Sequence, residues 1–383
     1  MSMRIDLDHN ATTPVREEVV EAMVRVLRDC PGNPSSTHGE GAAARKRVET
    51  ARDSVAALLR VDAREVVFTA GATEANNTVL AGAVGERGRA LVTSTVEHPS
   101  VREPAGRLAK AGHTVVQVPV DAGGRVDPQA VDDALAGLEG PALVSIIWAN
   151  NETGVLQPVD ALGERARARG AWLHVDATQA VGKIDVGLGD RPVDLLSCSA
   201  HKLGGPKGTG ALVLRRGVEL PPLLAGGGQE RGRRGGTENT AGIVGFGVAC
   251  DLARAELAER ERRYGALRDR LWEGLRAAVP GVRRNGDPDH VLPNTLNVEI
   301  EGSAGEVLLQ ALDVEGVAAS AGAACHSGSI SPSHVLTAMG LDPDRARASL
   351  RLSVGHGVDE AQIDRAVALL AELVPRVRAL ESP

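Results

Sequence analysis

The stretch "SAGAACHSGSISPSHVL", residues 320 to 336, sets one thiol, Cys325, among small residues and glycines. A buried cysteine behaves as a small hydrophobe with apolar neighbours, whereas a reactive one needs access and a polar or adaptable setting. Nothing around Cys325 is large enough to anchor a core, so the thiol reads as a nucleophile in search of a partner elsewhere in the chain. Lysine is scarce, and Lys46, Lys110, Lys183, Lys202 and Lys207 can be questioned one by one. Lys46 belongs to an amphipathic helical pattern and Lys110 ends another, where it suits the helix dipole. Lys202, in "SCSAHKLGGPKGTG", directly follows a strand pattern and has glycines beyond it. The carboxyl end of a parallel strand is where open α/β sheets place their ligands, and a desolvated amine there can form a Schiff base. Taken by itself, a His-Lys pair in a glycine turn reads more simply as a surface lysine. The ATP-loop pattern G-x-x-x-x-G-K-[ST] is absent from the stretch.

Four further residues carry polar chemistry near strand ends. Asp176 closes the strand pattern "AWLHVD"; a carboxylate there suits a protonated ring nitrogen, the requirement of pyridoxal phosphate as an electron sink, and equally suits the cap of a following turn. "TAGATEANN", residues 69 to 77, brings Gly71 and Thr73 to a strand-to-helix junction, where helix N-terminal amides cradle phosphate. His98 in "TVEHPS" also follows a strand, although a lone histidine is more often structural. Arg351 interrupts the strand pattern "SLRLSV". It requires an anionic partner if buried or a solvent face if not.

These residues must be positioned by elements, and the chain reads as alternating strands and helices. Strand patterns occur at 65–69, 90–94, 114–118, 142–148, 171–176 and 193–199, with amphipathic helices between most of them, such as 99–111 and 159–169. Asp127 followed by Pro128 marks a helix start. Alternation of this kind predicts a mostly parallel, doubly wound sheet. A Gly- and Arg-rich segment, 225–240, interrupts it and precedes a charged helix of roughly 35 residues starting near Asn239. The pattern then resumes on a smaller scale: strand "TLNVEI", helix 304–312, strand "GVAAS", the Cys325 loop, strand "SLRLSV" and a last helix with Asp359 and Gln362 in capping-box spacing. The expected division is a large domain, 14–255, and a smaller α+β domain from 1–13 and 256–383 that carries the cysteine loop at about 320–333.

With 43% hydrophobic and 24% charged residues over 383, the composition is that of an ordinary globular chain. Aromatics are only 2%, so packing rests on Ala, Val and Leu, and base stacking is not expected. The net charge of −7 argues against general nucleic-acid or anionic-membrane binding. Cys30, Cys198, Cys250 and Cys325 are widely spaced, which indicates neither a zinc ribbon nor a disulfide scaffold and fits a reducing cytosol. No signal peptide or membrane span is evident, and a cytoplasmic protein is expected.

Phosphate turn, histidine, asparagine pair, aspartate and lysine occur in one order, and over almost its whole length the chain resembles a known family. "LDHNATTPV", "GNPSSTHGEG", "VVFTAGATEANN", "WANNETGVLQPV", "HVDATQAVGK", "SAHKLGGPKGTGAL", "GGGQERGRRGGTEN" and "SAGAACHSGSISPSHVL" together resemble the cysteine desulfurases of the NifS-like branch, within the class V aminotransferases and the fold-type I pyridoxal-phosphate enzymes. The long cysteine loop matches this branch rather than the one with a shorter loop and an arginine-glycine-histidine lead-in. A selenocysteine lyase or another class V enzyme would share the cofactor set.

The resemblance implies roles. Lys202 would carry pyridoxal 5'-phosphate and move protons at the substrate Cα; Asp176 would pair with the pyridine nitrogen, Gln179 with the phenolic oxygen, and His98 would stack on the ring. Ala72, Thr73, Ser199 and His201 would surround the phosphate, joined by Thr237 from the opposite subunit of a homodimer. Asn151 and Arg351 would bind the substrate carboxylate, Asn151 also bordering the cofactor, and Asn33 would line the approach. L-Cysteine would yield L-alanine and a persulfide on Cys325 that passes to an acceptor protein. The role of the adjacent His326 stays open, as does the acceptor, whether for iron–sulfur assembly, tRNA thiolation, DNA sulfur modification or thio-metabolite synthesis.

Overall fold

The computed structural model describes residues 4–321 and 331–381. The strands, in chain order, are β1 Ile5–Asp6, β2 Val66–Thr69, β3 Ala90–Ser94, β4 Val115–Val118, β5 Ala142–Ile147, β6 Trp172–Asp176, β7 Leu195–Ser199, β8 Gly210–Leu214, β9 Val282–Arg284, β10 Thr295–Ile300, β11 Val317–Ala318, β12 Ser320–Ala321 and β13 Ser349–Ser353. The helices are α1 Glu17–Asp29, α2 Gly39–Leu59, α3 Ala72–Leu80, α4 Pro99–Lys110, α5 Pro128–Ala136, α6 Val159–Ala168, α7 Thr240–Ala278, α8 Gly305–Val314, α9 His334–Ala338, α10 Pro343–Arg347 and α11 Glu360–Glu381.

Seven strands form the main sheet in the order β2-β8-β7-β6-β5-β3-β4. Its pairs are parallel except that β8 runs antiparallel to both of its neighbours. β5 is buried along its whole length, as expected of a central strand covered by helices on both faces. Two antiparallel steps restore direction, so β2 points the same way as β3, β5, β6 and β7. Their carboxyl ends therefore share one edge of the sheet.

A second, four-stranded sheet has the order β12-β13-β10-β9, and β1 pairs with β11 apart from it. One core packs the main sheet against α1, α2 and the first half of α7. Another joins β1, β10 and β13 to α8, α11 and the second half of α7, through Leu267, Leu271 and Leu275. α7 runs unbroken for 39 residues, capped by Asn239, whose side chain accepts from the Gly242 amide. Asp127 caps α5 as its Asp-Pro pair predicts, and Asp359 and Gln362 cap α11 reciprocally at 2.8 and 3.0 Å.

Two expectations need correction. "GVAAS" is not one strand: β11 joins β1, and after Ala319 the chain turns into β12, which joins β13. The partner for β11 comes from the far N-terminus, which no local pattern announces. β8 is a strand that the alternating pattern omits, because a glycine turn leads into it and it returns antiparallel beside β7.

Candidate active site

At the shared edge of the main sheet a cavity of about 620 Å³ opens between Asn10–Thr12, the Gly71–Glu74 turn, His98, Asn151, Asp176, Gln179, Ser199–Lys202 and Arg351. Sequence-predicted residues from five different loops converge there: Ala72, Thr73, His98, Asn151, Asp176, Gln179, Ser199, His201, Lys202 and Arg351 all line it. Asn33 and Thr237 are exposed and lie outside it. Cys325 and His326 fall outside the described residues.

Lys202 ends the short turn that follows β7. Its Nζ donates to the main-chain oxygens of Asn10 and Ala11 at 2.5 and 2.8 Å. Burial first, and then the charge of Arg351, push its amine down to about 8. A lysine so shifted keeps a useful fraction of free base near neutrality.

Asp176 serves both readings that its sequence position allowed. One carboxylate oxygen accepts from the Thr178 amide and hydroxyl at 3.0 and 2.5 Å, capping the turn. The other accepts from Asn76 Nδ2 at 2.8 Å, and the residue still faces the cavity. His98 caps α4: its Nδ1 accepts from the Ser100 amide at 3.1 Å, which leaves the proton of the neutral ring on Nε2. Burial lowers its pKa and favours that neutral form. His201 is pushed down to about 4, by burial and then by Lys202 and other lysines.

The turn from β2 into α3 presents free helix N-terminal amides to the cavity. Gly71 sits at φ 152°, outside the range of side chains bearing a Cβ. Gly210 of β8 packs so closely on it that a Cβ would come within 2.7 Å of the Gly71 Cα and 2.5 Å of the Cys198 oxygen. Uncharged amides, the Ser199 hydroxyl and Lys207 make this end suited to a dianion. A phosphate at this end, a ring over Asp176 and an aldehyde at Lys202 is a donor set that fits pyridoxal phosphate.

Arg351, only 6% exposed, pairs through Nη2 with Asp8 at 2.7 Å and donates from Nη1 to the Asn151 oxygen at 3.0 Å. Its buried Nε has no partner among the described residues. The anionic partner required by a buried strand arginine is thus supplied 343 residues away.

Several residues of the site went unseen in the sequence. Asn10 is a hub: its main-chain oxygen receives Lys202 and Gln179, its side chain reaches Thr295 and the Asn151 oxygen, and its Oδ1 accepts from Asn294 and Lys183. Nothing local distinguishes such a loop asparagine; only its place in the quoted segment "LDHNATTPV" hinted at it. Asn76 and Ser100 brace Asp176 and His98 from behind. Of the described cysteines, Cys198 and Cys250 are buried, and burial pushes the Cys198 thiol up to about 12 and Cys250 well above its ordinary value. Both are poor nucleophiles.

Residues 5–366 match the family model described as Aminotransferase class-V. A protein named cysteine desulfurase from Trichormus azollae is 46% identical over 378 residues, spanning 98% of this chain and 94% of its own. One named cysteine desulfurase IscS, from Methanosarcina thermophila, is 42% identical over 375 residues, 97% of this chain and 92% of its own. A solved structure titled NifS-like protein superposes with a TM-score of 0.91 at 36% identity, covering 98% of this chain and all of that one. With cavity, fold and relatives in agreement, the chain belongs to the class V aminotransferase family, among its NifS-like, pyridoxal-phosphate-dependent cysteine desulfurases.

Proposed function

We propose that Lys202 holds the cofactor and serves the substrate Cα proton while Cys325 takes the sulfur of L-cysteine. The observation that carries this reading is the meeting, at one sheet edge, of a half-buried low-pKa lysine, a braced carboxylate and a helix N-terminus beside a buried arginine. Pyridoxal phosphate, when bound, supplies the electron sink that makes the Cα proton removable and the C–S bond breakable. Lys202 moves the proton at Cα. Asp176 would hold a proton on the ring nitrogen, Gln179 would donate to the phenolic oxygen, and His98 would cover the ring. Ala72, Thr73, Ser199 and His201 would hold the phosphate. Asn151 and Arg351 orient the substrate carboxylate, for which the Arg351 Nε, without a partner among the described residues, is an available donor, and Asn33 lines the approach. The Cys325 thiolate attacks the substrate sulfur; an S–S bond forms, the C–S bond breaks, and its electron pair returns to the carbon skeleton, which is protonated and leaves as alanine. The persulfide then passes to an acceptor protein, either a scaffold for iron–sulfur assembly or a thiolation enzyme.

The working unit of this reading is a homodimer in the cytoplasm. Thr237 is exposed and outside its own chain's cavity, which suits a residue completing the phosphate site of a partner subunit. No helix among the described residues is long and apolar enough to cross a membrane. The two units are taken as 14–255 and 1–13 with 256–383; the two main cores divide along this line, apart from Leu292, which packs with the first.

The test is sulfur accounting. Cys325→Ser should keep its colour and change spectrum with L-cysteine, yet release no alanine and hold no labelled sulfur, since a hydroxyl is a far weaker nucleophile toward sulfur than a thiolate. Serine at Cys30, Cys198 or Cys250 should leave labelling at Cys325 intact. Normal alanine release by Cys325→Ser would sink the assignment.

A further inference from the structure

Lys183 is the one lysine in the heart of the fold that neither the cofactor nor the substrate assignments use. It is 4% exposed and lies four residues after Gln179 in the turns that follow β6, behind the wall of the cavity. Its Nζ donates to Gln179 Oε1 at 2.6 Å and to Asn10 Oδ1 at 3.2 Å. The orientation of the Gln179 amide follows from its other end: the group 2.9 Å from the main-chain oxygen of Asn10 must be the NH₂, because a carbonyl oxygen only accepts. Oε1 therefore faces Lys183, and Lys183 is the donor in either of its charge states. One amide hydrogen is spent on Asn10 and the second is left for the cavity, which Gln179 lines.

We propose that Lys183 is a positioning residue of the desulfurase, holding the Gln179 amide with its N–H end toward the cofactor's phenolic oxygen and tying it to Asn10. This rests on the proposed contact between Gln179 and that oxygen. Burial, with the charges of Lys202 and Arg351, pushes the Lys183 amine well below the usual lysine range; since it donates to Gln179 with or without the extra proton, it acts by orientation. His9, whose own pKa is lowered by burial and by the charge of Lys183, sits on the other side. Without Lys183 the amide keeps only its bond to the Asn10 oxygen, Oε1 has lost its donor, and the side chain can swing its second N–H away from the cavity. The phenolate loses a donor, and the imine nitrogen beside it holds its proton to higher pH.

The experiment is a pH titration of the visible absorption of the cofactor-loaded, full-length enzyme. Lys183→Met, close in length and without a donor, should raise the pH of the colour change by about one unit, roughly tenfold in the proton equilibrium. In a Gln179→Ala background the same substitution should add nothing, because the two residues act in series. Should the methionine variant not fold, Lys183→Gln, shorter but still a donor, should give a smaller shift in the same direction that again vanishes with Gln179→Ala. Equal shifts with and without Gln179, or a folded, coloured Lys183→Met with an unmoved titration, would overturn the proposal. A wild-type chain that takes up no cofactor would instead overturn the cofactor assignments beneath it.

Discussion

At Lys202, the sequence showed a lysine after a strand and could not choose between a surface turn and a nucleophile. The choice is made by burial, together with the Arg351 guanidinium, which lower the amine from 10.5 to about 8. At pH 7 roughly a tenth is then free base, against well under a thousandth for an ordinary lysine. Only the free base attacks an aldehyde, so the rate at which cofactor-free protein captures pyridoxal phosphate should climb with pH and level off above about 8. Stopped-flow absorbance checks this. Arg351→Ala removes a positive charge that lowers the amine, so its inflection should move to higher pH, and cysteine binding should weaken. An unmoved inflection would mean that Arg351 does not act on Lys202. Asp176 and His98 were legible as types at strand ends, but their bracing by Asn76 and Ser100 was not, because those partners are on another helix turn or another element.

Among the elements, the segment between β8 and α7 shows how a run of glycines and arginines acquires one conformation. Glu230 and Arg231 sit at φ 50° and 59°, a left-handed region that residues with a Cβ enter only when something holds them. Glu230 is held by Arg52 of α2 through two bonds of 2.8 Å and by the Phe68 amide at 2.9 Å, with the guanidinium stacked 4.7 Å from the Phe68 ring. Further on, Arg234 pairs with Glu74 in the first turn of α3 at 3.0 Å, so the segment that bears Thr237 is tied to the phosphate turn. Removing one member of a buried ion pair strands the other. Glu230→Ala should cost about 3–5 kcal/mol in urea unfolding, and Arg52→Ala with Glu230→Ala should cost less than the two singles added. Additive losses would show that the pair does not hold the segment.

For the whole molecule, buried acids make stability depend on pH in a window where surface groups do not. Glu97, between β3 and His98, accepts from Ser94 and from the Ile147 amide, while its second oxygen is buried without a partner among the described residues. Burial raises its pKa from 4.5 to about 8, and that of Glu152 from 4.5 to about 7. The folded chain therefore keeps protons that the unfolded chain has released, and stability falls as pH rises toward these values. His174 and His201, lowered from 6.5 to about 4, act in the opposite sense but only below 6.5, and Lys202 acts upward only above about 8. Between pH 6.5 and 8 the two carboxyls lower stability as pH rises, against an opposing contribution from the Lys183 amine, which burial pushes well below its ordinary range, so the carboxyl slope is read by comparison with a Glu97 variant. Glu97→Gln, which mimics the protonated acid, should flatten most of that slope. A slope unchanged in the variant would place the proton elsewhere.

The sequence by itself determined the alternation of elements, the caps of α5 and α11, and the kinds of residue at the strand ends, because periodicity, Asp-Pro pairs and capping spacings are local properties of a chain. By resemblance it also named the family. Tertiary structure alone decided that β2 joins the other five parallel strand ends at one edge across an antiparallel β8, that "GVAAS" divides between two pairings, and that Asn10 and Asp8 stand with Lys183, Lys202 and Arg351. Those partners are brought together from opposite ends of the chain by the two cores, and a hydrogen bond between residues hundreds of positions apart leaves no period, cap or turn signal in the sequence to be read.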